Sequence, residues 1–430
     1  MPSRRGSTRE AAVVDTMWVN WWGGQQCRPR RTDRPLDEAG VVAAVRRAAE
    51  RGLTVRPLGS GRSDSALTLT NDVHVDCSAL TGVAAVTSDT VRARAGATIA
   101  SVQAALAERG RALAPPTHGP LATVAGAIAT GTHGGGARIG SLSDQVVGLR
   151  LVDGTGRVRK AEDTELDALR TGLGALGVVT EVELRTVPAE QVEAHEEPVV
   201  AEEALAVGGP LDTHRFAAVE LHLPSGEALL RWAGPVVDRE PEPTTGGPVE
   251  AIGRVVTRLG HTASAQWSAQ RSRPAPRWDG VVTGLPHELL PDPHPVRGGF
   301  TEWALPREAL AAAIRELGAA TAARDREVRR PIEVRTGPAE TGWLHPAHGR
   351  ATAWITVRTH RGDDHGPLFR LVGSVLEGMG GRPHWGGRHD WTAADLAVAY
   401  PALSDFLAVR DRFDPDRLFG GDHLEALLGP

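Results

Sequence analysis

Residues 121–136 read LATVAGAIATGTHGGG, a run that is apolar, nearly free of bulk and rich in glycine. Few structures accept such a run. A solvated loop carries more polar residues, and each glycine in a helix interior costs about 1 kcal/mol relative to alanine. What remains is a buried segment: one whose backbone lies against something large and flat, because side chains this small let the main chain approach closely, or an unusual piece of core. The run therefore predicts an irregular wall rather than a regular element.

A second segment points the same way. PLGSGRSDS (57–65) follows Leu53, Thr54 and Val55, which read as a strand entered from a helix at 37–51, DEAGVVAAVRRAAER. That helix has acids early and arginines late, as the helix dipole favours, and Gly52 stops it. In the loop, Gly59 and Gly61 permit a tight turn. Successive N–H groups there would form a nest for phosphate oxygens beside the Ser60, Ser63 and Ser65 hydroxyls. A plain surface turn is the alternative for the loop alone. Loop and run together favour a large phosphate-bearing ligand.

Other phosphate signatures fail on context. Gly172, Gly174 and Gly177 match G-x-G-x-x-G, but a dinucleotide fingerprint needs a strand before and a helix after. Here a helix-like DALRT precedes and the strand-like VVTEVEL follows. No G-x-x-x-x-G-K-[ST] is present, which excludes a P-loop nucleotidase.

Composition narrows the class further. A formal net charge of -5 gives no bulk attraction to nucleic acid or an anionic membrane. No stretch of about 18 apolar residues is present. Residues 1–16 read as a charged tail without a signal-peptide core. Cys27 and Cys77 cannot build a disulfide framework, and Cys27 reads as a small buried hydrophobe, so a cytoplasmic protein is expected. Lys160 is the only lysine, which nearly excludes a Schiff-base or lysine-base mechanism. HPAH (345–348) and GRHDW (387–391) lack a metal-ligand constellation, and no metal is expected.

The chain divides by texture. Residues 17–188 read as one α+β unit: strands at 73–78 and 91–97, a helix at 98–109, a hairpin turning at Asp153 and Gly154, and a strand at 174–188. Residues 189–370 read as a second α+β domain, with strands at 214–223, 228–234, 331–336 and 352–359, an exposed loop at 238–247 and a helix at 306–325. Residues 371–430 form a C-terminal segment.

Seven motifs recur in one order: VNWWGGQQCRP (19–29), VRPLGSGRSDS (55–65), VAGAIATGTHGGG (124–136), GALGVVTEVEL (174–184), PIEVR (331–335), GRPHWG (381–386) and DPDRLF (414–419). In that order they resemble the FAD flavoproteins of the vanillyl-alcohol-oxidase type (PCMH-type), and within them the sugar-1,4-lactone and alditol oxidases. The resemblance implies a two-subdomain FAD-binding domain, a substrate cap from the middle of the chain, and a C-terminal segment returning to the flavin. It assigns cofactor contacts to Pro57, Gly59, Ser60, Gly61, Arg62, Ser63 and Asp64 in the loop. It adds Thr117, Gly126, Ala129, Thr130, His133, Gly134 and Gly136 around the small-residue run, with Val178 and Val179 near the adenine.

Three departures stand out. Where many relatives carry a histidine joined covalently to the flavin, this chain has Arg62, so a noncovalent FAD is expected, with Arg62 facing the pyrophosphate or the flavin edge. Where relatives often have serine and lysine, it has Gly135 and Gly387, and Arg388 is the nearest replacement for the lost charge. What survives is Glu333 and Arg335. They are two apart in a strand and so project from one face. In the resemblance Arg335 stabilises charge on the substrate oxygen while Glu333 orients it or holds a hydroxyl. His384 is the expected proton acceptor. The implied activity is hydride removal from a C–OH or related carbon of a small molecule, with oxygen reoxidising the flavin where Gly134 and Gly135 leave room. A tailoring oxidase acting on a less polar metabolite, and a binding protein without turnover, are the rival readings.

Overall fold

The helix and strand expected near the start become a β-α-β unit. The computed structural model describes residues 17–117, 119–237, 274, 276–290, 298–324 and 328–429. The tail at 1–16 and the loop at 238–247 lie outside the described residues. Asp37 caps the helix Glu38–Glu50 by accepting a hydrogen bond from the Gly40 N–H, and Gly52 beyond it has φ +62°. Val41, Ala44, Val45 and Ala48 recur at helical spacing and bury against Val55, Val73 and Val75. Each such valine contributes roughly 1.5–3 kcal/mol when fully buried. The sheet they cover is parallel, in the order Arg31–Asp33, Val73–Asp76, Val55–Leu58. The strand expected at 53–55 thus starts two residues later, and Pro57 and Leu58 belong to its ladder. The loop proper opens at Gly59.

A second layer is an antiparallel sheet in the order Val158–Lys160, Val146–Val152, Val178–Arg185, Thr90–Arg94, Val83–Val86. The Asp153 turn forms as expected, with the Asp153 carboxylate accepting from the Thr155 and Arg157 N–H groups. The helix Glu38–Glu50 lies between the two sheets, and Arg150 ties it to the second through Glu38 at 2.7 Å. The small-residue run departs from expectation: Val124–Ala129 is a short helix. Val124, Ala127 and Ile128 are buried, which offsets the helix-breaking cost of Gly126, and the irregular backbone starts only after Ala129.

The third layer is an eight-stranded antiparallel sheet: Val282–Gly284, Val192–Val199, Ala228–Pro235, Phe216–Leu221, Ile332–Gly337, Thr352–Arg358, Phe300–Pro306, Arg382–Pro383. Alternation divides its two faces. Val219, Leu230, Trp303, Leu305, Ile332, Val334, Ile355 and Val357 belong to the main core, together with buried residues of the helices Leu310–Ala323 and Gly366–Glu377. The intervening residues of the central strands, Glu302, Glu333, Arg335, Thr356 and Arg358, are polar and turn the other way. Residue 370 falls inside the helix Gly366–Glu377, and Arg382–Pro383 completes the sheet edge, so the C-terminal segment is built into this layer. Its last turn returns to the first layer. The Val55 N–H donates to the Leu418 carbonyl, and Arg56 clamps the Leu67, Leu173, Gly174 and Phe419 carbonyls.

Candidate active site

The first layer supplies an anion-binding loop. Between the strand Val55–Leu58 and Ser65, the N–H groups of Ser60, Gly61, Arg62 and Ser63 make no hydrogen bond among the described residues. Gly61 turns the loop at φ +62°. A Cβ on Gly59 would clash with Oγ1 of Thr123, the residue that precedes the helix Val124–Ala129, so the loop packs there because residue 59 is glycine. The Thr123 N–H in turn donates to Ser60 Oγ at 3.3 Å. Four successive unused donors on a glycine turn suit a pyrophosphate.

That loop opens into a cavity of about 270 Å³. Pro57, Gly59, Ser60, Gly61, Arg62, Ser63, Gly126, Ala129, Thr130, His133 and Val179 all line it, as do Arg335 and His384. The glycine hexad set aside as a false fingerprint lines it too, through Gly172, Leu173, Gly174, Leu176 and Gly177. Leu173 there takes φ 55°, which the Arg56 clamp on its carbonyl holds in place.

Other expected residues sit elsewhere. Asp64 is fully buried outside the cavity wall, accepting from the Phe300 N–H and from Arg388 Nε at 3.0 Å. It joins the loop to the eight-stranded sheet and to the C-terminal segment. Arg388 is therefore turned away from the cavity and does not replace a lost charge there. Thr117 is buried outside the wall. Gly134 and Gly136 do not line the cavity either. Their Cβ positions abut the Pro116 and Arg215 carbonyls, and that of Gly135 lies 2.6 Å from the Ala217 carbonyl. These glycines let two layers touch instead of opening a face for oxygen. Gly387 packs likewise against the Glu302 N–H at 3.2 Å. Cys27 is half-buried, its Sγ 3.9 Å from His74 Nε2.

Arg62 points along the wall. Its guanidinium stacks 4.2 Å over the Trp21 ring, and its carbonyl accepts from the Trp22 indole N–H. The Trp21 N–H donates to the Gly61 carbonyl at 2.8 Å. The tryptophan pair thus fixes both the turn and the direction of the arginine.

The sheet supplies the opposite wall. Arg335 Nη2 donates to Glu302 Oε1 at 2.6 Å, and Thr356 Oγ1 donates to the same oxygen at 2.6 Å. Glu333, the expected orienting partner, lies 3.8 Å from Arg335 Nε and accepts from Arg358 Nη1 at 2.9 Å. It lies behind the wall, whereas Glu302 lines it. Glu302 is the residue the sequence reading missed. Its one signal was a carboxylate in an otherwise apolar strand, FTEWALP. Burial alone would raise the Glu302 carboxyl, but its interactions with His133 and Arg335 hold it well below the usual range. Among the described residues, the buried Arg335 Nε and Nη1 have no hydrogen-bond partner.

Two histidines flank Glu302. His133 lies flat on Trp354 at 3.7 Å, donates from Nδ1 to the Gly134 carbonyl, and brings Nε2 to 3.5 Å from Glu302 Oε1. His384 Nδ1 accepts from the Gly386 N–H at 3.1 Å and lies 3.7 Å from Glu302 Oε2. Burial pushes the His384 imidazole down to about 4. Neutral, and with Nδ1 engaged by an N–H, this ring carries its proton on Nε2. It is arranged to donate a hydrogen bond, whereas the sequence reading made it a proton acceptor. The ligand atoms of His133, Glu302 and His384 lie within 4.8 Å of one another. As a metal set they are poor: the Arg335 cation already occupies Glu302, and the lone pair on His384 Nδ1 is taken.

Residues 29–162 match the family described as FAD binding domain, and residues 249–427 match D-arabinono-1,4-lactone oxidase. Over 97% of this chain and all of the relative, the sequence is 33% identical to an L-gulono-1,4-lactone dehydrogenase of Mycobacterium tuberculosis. It is 30% identical to an alditol oxidase of a Streptomyces species, over 96% of this chain and all of that one. The fold resembles a solved solvent-stable cholesterol oxidase with a TM-score of 0.75 at 19% identity, over 97% of this chain and 98% of that one. The residues present fit FAD. The unused N–H groups suit its pyrophosphate, the glycine cradle leaves space for its ring, and the buried donors of Arg335 await an oxygen.

Proposed function

The chain belongs to the family of FAD-dependent oxidoreductases that includes the sugar-1,4-lactone dehydrogenases and alditol oxidase, and from that premise we propose that it oxidises a C–OH carbon of a small polyhydroxy compound at the wall formed by Arg335, Glu302 and His384. Bound FAD supplies the hydride acceptor. Pro57, Gly59 and the N–H groups from Ser60 to Ser63 would hold its pyrophosphate. Gly126, Ala129, Thr130 and His133 would face the ring, and Val179 and the 172–177 loop the adenine end.

The observation that carries this reading is the buried Nη1 of Arg335, which has no hydrogen-bond partner among the described residues, while Nε faces Glu333 at 3.8 Å. A guanidinium held by Glu302 and aimed into the cavity stabilises negative charge on an oxygen as hydride leaves the adjacent carbon. It also lowers the pKa of the hydroxyl, whose proton passes to water at the cavity mouth as the hydride leaves. The Nε2–H of His384 is a second donor for that oxygen. Glu333 shares its carboxylate between Arg335 and Arg358 and spaces them. The likeness to an L-gulono-1,4-lactone dehydrogenase and an alditol oxidase weighs against a binding protein without turnover.

We extend the proposal to the flavin linkage. Arginine has no nucleophile for the ring, so FAD is held noncovalently, with Arg62 at its edge or pyrophosphate. Oxygen is the proposed final acceptor on the likeness to the lactone and alditol oxidases alone, since neighbouring backbone fills the space beside Gly134 and Gly135. The experiment is acid precipitation followed by anaerobic mixing. FAD should appear in the supernatant, and a lactone or polyhydroxy substrate should bleach the yellow protein. Flavin left in the pellet would end the noncovalent reading, and failure of every CH–OH donor to bleach it would end the oxidoreductase reading.

A further inference from the structure

We infer that the hairpin Trp18–Cys27 is a positioning element for the cofactor: it holds the carbonyl side of the loop at 61–64 and so turns the loop's N–H groups toward a pyrophosphate. The inference rests on the noncovalent FAD reading above and names the residues that make the loop a binding site.

Four successive carbonyls of the loop each take a donor from this hairpin. The Trp21 N–H donates to the Gly61 carbonyl at 2.8 Å and the Trp22 indole N–H to that of Arg62. Asn20 Nδ2 donates to the Ser63 carbonyl at 2.9 Å and Gln25 Nε2 to that of Asp64 at 2.8 Å. The same asparagine closes the hairpin. Its Oδ1 accepts from the Gly24 and Gln25 N–H groups at 3.0 and 3.1 Å, and the strands pair Trp18 with Cys27 and Val19 with Gln26. Asn20 is buried, so both ends of its amide are committed, one to the hairpin and one to the loop.

Peptide geometry then aims the N–H groups. The C=O and N–H of one trans peptide point in opposite directions. A Gly61 carbonyl fixed on Trp21 turns the Arg62 N–H away from the hairpin, and an Arg62 carbonyl fixed on Trp22 does the same for the Ser63 N–H. Arg62 and Ser63 both line the cavity. The next peptide follows the same rule. With the Ser63 carbonyl on Asn20, the Asp64 N–H reaches the carbonyl of Gly386, itself a residue of the cavity wall, at 2.7 Å. Gly61 at φ +62° brings successive N–H groups to one side, as an anion nest requires. The hairpin also carries Trp21, whose ring holds the Arg62 guanidinium at 4.2 Å along that wall.

Two variants test the element. Trp22→Phe keeps an aromatic ring and removes the donor to Arg62. Asn20→Asp keeps the Oδ1 acceptor and replaces the donor to Ser63 with a negative oxygen. Binding to the apoprotein is measured by calorimetry with FAD and with ADP, which shares the pyrophosphate and lacks the flavin ring. Each variant should raise both Kd values by the same factor, about tenfold, the scale of one hydrogen bond. The Trp22→Phe apoprotein should melt at the wild-type temperature. Weaker FAD with unchanged ADP overturns the inference, since that marks a ring contact. Unchanged affinity for both overturns it as well, as does a loss of affinity that only follows a fall in apoprotein stability. In these three results the cofactor reading stands, whereas a wild-type apoprotein that binds neither probe overturns both. Should Asn20→Asp not fold, Trp22→Phe decides, because the Trp22 indole N–H serves the loop and not the hairpin.

Discussion

Arg335 Nη2 lies 2.6 Å from Glu302 Oε1 although the strands carrying them are not neighbours. Thr352–Arg358 runs between Ile332–Gly337 and Phe300–Pro306, and its Thr356 donates to the same carboxylate oxygen. The ion pair thus spans three strands, and both side chains are almost fully buried. Removing one partner leaves a buried charge without compensation, which typically costs more than the pair contributes.

Glu302→Gln is therefore expected to lose about 3 kcal/mol of stability by strand-pair uncoupling and charge exposure. Arg335→Met should retain FAD and reduce the rate of flavin reduction by about 100- to 1000-fold, as removal of one oxyanion donor does. The double variant should be less unstable than Glu302→Gln alone, because it buries no lone charge. Denaturant melts and anaerobic stopped-flow measure both. Full-rate reduction by Arg335→Met would remove the guanidinium from the chemistry.

The pair also shows where sequence legibility ends. Glu333 and Arg335 were legible as a same-face pair because a strand has period two. Glu302 was not, because its partnership depends on which strands are adjacent, and no local pattern encodes an order in which residues 332–337, 352–358 and 300–306 lie side by side. The loop at 59–63 was legible because phosphate-binding turns need glycine locally. Gly134 to Gly136 were misread for the converse reason. Glycine there serves contact with Pro116, Ala217 and Arg215, residues distant from it in sequence or chosen by the fold. The short helix Val124–Ala129 was hidden because its burial outweighs its propensity.

Asp64 behaves as a joint between loop and sheet. It is fully buried and holds Arg388 Nε and the Phe300 N–H, while its own N–H donates to the Gly386 carbonyl at 2.7 Å. Asp64→Asn keeps the shape and removes the charge, leaving Arg388 without its carboxylate. A loss of roughly 2 kcal/mol is expected, together with a drop in FAD content, since the same loop carries the anion-binding N–H groups. A combined Asp64→Asn, Arg388→Gln variant should recover part of the stability. Normal stability with reduced FAD affinity would instead make Asp64 a direct cofactor contact.

Gly59 offers a steric test. Because a Cβ there would clash with Thr123 Oγ1, Gly59→Ala pushes the loop away from Thr123 at the start of the helix Val124–Ala129. FAD affinity should fall at least tenfold, read by fluorescence titration of apoprotein. Adding Thr123→Ala removes the obstructing oxygen and should restore much of the loss. If the second substitution restores nothing, the loop does not rest on Thr123 in the manner described.

Acid sensitivity follows from buried imidazoles. Burial pushes His384 and His423 down to about 4, and His345 and His389 down to about 3, all from 6.5. A histidine whose folded pKa lies below its unfolded value binds its proton first in the unfolded chain, so stability falls as pH drops from about 6.5 toward 4. Glu340 runs the other way. Burial raises it to about 7, so the folded state takes up a proton as pH falls from 7 to its unfolded value of 4.5. Among these five groups, four histidine protons favour the unfolded chain and one carboxyl proton favours the folded, a difference of three. Each is worth about 1.4 kcal/mol per pH unit. The Tm should fall by roughly 10 °C between pH 7 and pH 5. The Glu302 carboxyl, held well below 4.5, adds its loss only below that pH, where its ion pair with Arg335 is titrated away. His423→Gln should flatten the slope between pH 6.5 and 5, and a Tm independent of pH across that window would show that these rings are not held neutral.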